Sequence, residues 1–85
     1  MHLTPIEDQA ITARMALIVG GVTFDRLFAG VRFDEVDGDL LYVYAKDESA
    51  AAEIEDDFSL VIADIASRIL KREIELVVVL PKVLQ

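Results

Sequence analysis

The stretch LLYVYAKDESAAAEIEDDFSLVIADIASRILKREIELVVVL, residues 40–80, decides the fold. It reads as a strand (Leu40 to Ala45), a long helix (about Ser49 to Arg72) and a second strand (Glu73 to Leu80), joined almost without linker. Within the helix, Ile54, Phe58, Val61, Ile62, Ile65 and Ile69 recur at spacings of three and four, which gathers them into one apolar stripe. Such a stripe needs a sheet beneath it, and Phe58 is expected at the centre of that contact. A strand, helix and strand in succession form a crossover unit, so the two strands should run parallel, as neighbours or with another strand between them. The chain is therefore expected to be an α+β domain.

Upstream, Thr4, Pro5 and Glu7 match the opening of a helix: a cap, a proline where no donor is needed, and a glutamate closing a capping box. This helix runs to about Val19, where Gly20-Gly21 ends it. It carries two apolar faces, Ile6, Ala10, Ala13 and Leu17 on one and Ile11, Met15 and Ile18 on another. The second face either tucks under the following helix or forms a contact surface for another subunit. Thr23 is expected to cap a short second helix, Phe24 to Ala29, with Asp25 in its first turn and Gly30 as its stop.

Val31 to Glu35 and Leu40 to Ala45 form a hairpin around Asp37-Gly38. A three-residue loop, Val36-Asp37-Gly38, pairs Phe33 with Leu41 and Val31 with Val43 and makes one apolar face; a two-residue Asp37-Gly38 loop mixes the faces. The first is preferred, which buries Phe33, Leu41 and Val43 and turns Tyr42 and Tyr44 to the other side. The last strand alternates Ile74, Leu76, Val78 and Leu80 against Glu73, Glu75, Val77 and Val79, so its later half is apolar on both sides, and Pro81 ends it. Asp47 or Ser49 caps the long helix.

Composition narrows the function. Eighty-five residues make one domain with room for one core and no deep pocket. A hydrophobic share of 54% is above the usual range, which points to apolar surface meant for a partner. With no cysteine there is neither disulfide nor thiolate metal site, and the expected compartment is cytoplasmic. The N-terminus does not read as a signal peptide, and the apolar runs are too short for the ~20 residues of a membrane helix. Sixteen acidic residues against eight basic ones give a net charge of −8, and between Phe33 and Ser67 eleven acids face one base, Lys46. Such a surface repels phosphate, so nucleic-acid binding is expected to be weak or absent. Arg68, Lys71 and Arg72 complement the end of the long helix or form a small basic patch.

Catalytic equipment is sparse. The lone His2 sits in a tail expected to fray, which removes the commonest acid–base catalyst. The acidic turn Glu35-Val36-Asp37-Gly38-Asp39 fails as a calcium loop because Phe33 and Tyr44 occupy the positions that need carboxylates. Glu53, Asp56 and Asp57 share a helix face without opposing ligands. No phosphate-binding glycine motif occurs. No cofactor and no enzymatic activity are expected.

Gly20-Gly21-Val22-Thr23-Phe24-Asp25-Arg26-Leu27-Phe28, then a hairpin, Leu41-Tyr42-Val43-Tyr44-Ala45, a long helix carrying Phe58 and a terminal strand resemble the N-terminal domain of the bacterial replication initiator DnaA. The resemblance spans nearly the whole chain and rests on the order of all six elements, with Leu27 where that family has tryptophan and Lys46-Asp47-Glu48-Ser49 where it has Pro-Asn-x-Phe. It implies a KH-like fold in the order helix-helix-strand-strand-helix-strand. It also implies a non-enzymatic protein-interaction domain in replication initiation, which self-associates, recruits the replicative helicase and docks regulators. Ile11, Met15 and Ile18, the second apolar face of the first helix, are expected to form part of a partner surface, with a weak homodimer there, and the further partner-binding positions are Thr23, Asp25, Arg26 and Ser49. The competing expectation is a KH-like nucleic-acid-binding module, against which stand the missing Gly-x-x-Gly loop and the negative charge.

Overall fold

The computed structural model describes residues 1–82 and is an α+β domain, helices packed on a three-stranded mixed sheet. Helix α1 spans Pro5–Val19, a short α2 spans Gly21–Thr23 and runs into a π-helical turn over Phe24–Phe28, strands β1 and β2 span Arg32–Asp37 and Leu40–Ala45, α3 spans Glu48–Leu70, and β3 spans Leu76–Pro81. The capping box of α1 forms as its sequence requires: Glu7 N–H donates to Thr4 Oγ1 at 3.1 Å, and Thr4 N–H donates to Glu7 at 2.8 Å. Gly20, at φ +82°, ends α1 and also stands before α2, so Thr23 is already helical and makes no capping bond. Of the two candidate caps for α3, Asp47 is the one that accepts from Ala50 N–H, at 2.8 Å.

The strand order is β1-β2-β3, with β1 antiparallel to β2 and β2 parallel to β3, so the crossover strands are direct neighbours. Hairpin pairing differs from the expected register. The loop is Gly38-Asp39, β1 extends through Val36 to Asp37, and the pairs are Phe33 with Val43 and Val36 with Leu41. A bulge between Phe33 and Glu35 accommodates the extra residue and restores the phase, so Phe33 and Val36 both point inward although they are three apart. The faces are as expected: Phe33, Leu41 and Val43 are buried, and Tyr42 and Tyr44 lie on the other side.

The start of β3 also differs. Residues 73–75 form an irregular turn in which Glu75 N–H and Leu76 N–H both donate to the Asp39 carbonyl. The alternation slips there. Ile74 is buried, yet from Leu76 onward Val77 and Val79 face the core while Leu76 and Leu80 face outward. One core results, in which Ile11 and Met15 of α1, Leu27 and Phe28 of the π-turn and Ile54, Ile62 and Ile65 of α3 meet the inner face of the sheet. Phe58 is half-buried at the margin of this core; Phe28, fully buried, takes the central place expected for it.

The N-terminal tail is held. Met1 exchanges two backbone bonds with Val36, and Leu3 N–H donates to the Asp34 carbonyl, all at 2.8 Å, which covers the outer edge of β1. At the opposite edge, Val79 N–H donates to the Glu55 carboxylate at 3.0 Å and Pro81 has no N–H to offer. Both edges are thereby poor templates for an incoming strand.

Candidate interaction surfaces

The two faces of α1 are assigned in the opposite sense to the expected partner surface. Ile11 and Met15 are fully buried in their own chain, so neither reaches a partner. Ile18 is half exposed and lines a groove of about 200 Å³ between α1 and α3 with Arg14, Asp64, Ile65, Arg68 and Ile69. The outward stripe is instead Ile6, Ala10, Ala13 and Leu17, with Ile6 at 78% exposure and Leu17 at 80%. Adjacent in the chain, Val22 of α2 is also exposed. Periodicity alone could not say which of two apolar stripes is inner. The deciding contact is with β1: Asp8, one turn into α1, accepts a hydrogen bond from Phe33 N–H at 2.9 Å beside the bulge.

The remaining expected positions fall on α2, the π-turn and the start of α3. Asp25 and Arg26 are exposed on the π-turn, Thr23 is half-buried before it, and Ser49 is exposed in the first turn of α3. Arg26 donates both guanidinium nitrogens to Glu53, each at 2.9 Å, which fastens the π-turn to α3 one turn beyond Ser49. This pair raises Arg26 and lowers Glu53 from their ordinary pKa values, first through the hydrogen bond and then through charge attraction. Thr23, Asp25, Arg26 and Ser49 therefore lie on the two segments that this pair joins.

Among the described residues metal chemistry has one candidate. His2, Asp34 and Glu35 place ligand atoms within 4.8 Å of one another, because the paired tail carries His2 back to β1. Arg32, however, sits 2.9 Å from the other oxygen of Asp34, so a cation would meet a positive charge already in place. Among the described residues no helix is long and apolar enough to cross a membrane.

A cluster of acids where β3 begins gives a pH response. The Glu75 carboxyl is pushed up to about 6 from its usual 4.5 by hydrogen bonds with the Glu73 and Asp39 side chains and by repulsion from both. The folded state thus holds this proton more tightly than the unfolded chain. Its contribution to stability is complete below about 4.5 and is lost as pH rises through about 6. Thermal melts should show a small rise in midpoint as pH falls from 7 to 5, and Glu75→Gln should flatten that slope. A slope unchanged by Glu75→Gln would contradict the assignment. Glu53, whose value is lowered, loses its contribution only at lower pH, outside this window.

No protein-family model and no curated protein matches this chain.

Proposed function

We propose that the chain is a non-enzymatic protein-interaction domain of the kind that serves bacterial replication initiation, and that the outward stripe of α1 is its contact surface. The observation that carries the reading is the exposure of Ile6 and Leu17 on a helix that has already buried Ile11 and Met15. A surface helix ordinarily turns charged and polar side chains outward; α1 turns two large aliphatic residues to water, separated by the small Ala10 and Ala13. Alanines between larger residues let a second helix approach closely. The junction around Arg26, Glu53 and Ser49 lies on the π-turn and the start of α3 and offers a polar, charged docking corner for a regulator. The link to replication, to a helicase partner and to a cytoplasmic location rests on the resemblance to the DnaA N-terminal domain and on the element order.

The test is a binding titration of the purified chain against a purified bacterial replicative helicase, with Leu17→Asp and Ile6→Asp alongside. Saturable binding that weakens at least about tenfold in either variant is the expected result. Absence of binding would overturn the replication assignment. Binding indifferent to both substitutions would remove α1 from the contact. Salt-sensitive binding of single-stranded DNA by the native chain would favour the nucleic-acid reading instead.

A further inference from the structure

The outer edge of β1 gathers nitrogen and oxygen donors from two distant parts of the chain. His2 pairs with Glu35 across the docked tail, and residues opposed in this way carry their side chains on the same side of a sheet. Asp34 joins them because of the bulge. In a regular strand consecutive residues point to opposite faces, but here Phe33 and Val36 both point inward, and the two residues between them, Asp34 and Glu35, both stay outside the core. His2 Nδ1 lies 3.9 Å from Asp34 Oδ2, and one donor atom from each of His2, Asp34 and Glu35 falls within 4.8 Å of the others.

We infer that His2, Asp34 and Glu35 form a site for a divalent cation of the zinc class, which clasps the N-terminal tail to β1, independently of the contact surface on α1. Donors on a tetrahedral zinc stand about 2.0–2.2 Å from the metal and so about 3.3–3.6 Å from one another. The His2 and Asp34 atoms are within about half an ångström of that spacing. Rotation of the long Glu35 side chain closes the remainder. The His2 side chain is 74% exposed, which leaves the imidazole free to turn and gives water access to the fourth position.

The donor set selects the metal. Calcium and magnesium take six or more oxygens, whereas one imidazole nitrogen with two carboxylate oxygens suits zinc. Arg32 sharpens the choice. Its guanidinium holds Asp34 Oδ1 at 2.9 Å, which orients the carboxylate and leaves Oδ2 to the cation. The repulsion that Arg32 adds is the same for any divalent cation, and one with a strong bond to imidazole nitrogen offsets it. Two carboxylates against one guanidinium still leave the site one negative charge before the metal enters.

Binding and tail docking are linked, because His2 reaches the carboxylates only while the tail is paired. Leu3 N–H then donates to the Asp34 carbonyl and Val36 N–H to the Met1 carbonyl, each at 2.8 Å. A cation bound at the site stabilises the docked tail by mass action and closes the edge of β1 more firmly.

Calorimetric titration of the untagged chain with zinc chloride, beside calcium chloride, tests the site. One zinc should bind per chain, with calcium at least about tenfold weaker, and His2→Ala and Glu35→Gln should each weaken zinc binding at least about tenfold. His2 is exposed and Glu35 lies outside the core, so metal-free melts of both variants should match the native chain. Hydrogen exchange gives a second readout: the Leu3 and Val36 amides should exchange more slowly when zinc is added to the native chain and unchanged in His2→Ala. Zinc binding that is equal in His2→Ala, or matched by calcium, would mean an adventitious ion only, drawn by the acidic surface, and would overturn the proposal. So would the absence of saturable zinc binding. Bound zinc that leaves exchange at Leu3 and Val36 unaltered would overturn the clasp.

Discussion

Phe28→Ala is expected to destabilise the domain by about 3–5 kcal/mol, the range for removing a fully buried aromatic ring. Phe28 is 0% exposed, stacks on Phe24 with ring centroids 5.9 Å apart and meets the edge of Phe58 at 5.6 Å. With the Arg26–Glu53 pair it holds the short π-turn to α3, since a turn of this length has little helical stability of its own. A chain of 85 residues at roughly 0.05–0.15 kcal/mol per residue has a total stability of only about 4–13 kcal/mol, so the loss is a large share. Phe58→Ala, at a half-buried position on the same cluster, should cost less than half as much. Denaturant melts of the two variants give the comparison, and a larger loss for Phe58→Ala would mean that the centre of the core is misplaced.

Met15→Asp should leave the chain largely unfolded. The carboxylate would be placed where no partner exists, since none of the described core residues is polar or charged. An uncompensated buried charge costs about 3–5 kcal/mol, to which the lost packing of the methionine adds. Leu17→Asp, two positions along the same helix, should change stability by no more than about 0.5 kcal/mol because the side chain is already in water. Circular dichroism melts of both variants decide the matter. Equal tolerance of the two substitutions would contradict the orientation of α1.

Much of the fold is legible in local patterns. Thr4-Pro5-x-Glu7 announces the start of α1, the three-and-four spacing from Ile54 to Ile69 announces α3, and the short linkers around it require parallel strands. Features set by long-range geometry are not legible in the same way. The bulge after Phe33 has no glycine to mark it, so the sequence favours an unbulged loop of three residues; the bulge achieves the same burial from a two-residue loop. The slip before β3 follows from the Asp39 carbonyl taking two successive amides, a contact between residues 36 apart along the chain. Periodicity likewise finds both apolar faces of α1 but contains no term for which one meets β1. The exposed apolar stripe of α1 is therefore legible as a helix and not as a face. Arg26, singled out by the resemblance, is bound to α3 through the Glu53 carboxylate, which reads in sequence as one more solvated acid.

The orientation of α1 underlies the proposed contact surface, and the absence of cysteine permits a direct measurement of it. Met15→Cys and Leu17→Cys each introduce a single thiol, whose rate of modification by a small alkylating reagent under native conditions reports its access to solvent. Leu17→Cys should react at the rate of the unfolded chain, and Met15→Cys should be protected by orders of magnitude, reacting only through local opening. Rapid modification of Met15→Cys together with protection of Leu17→Cys would contradict the account.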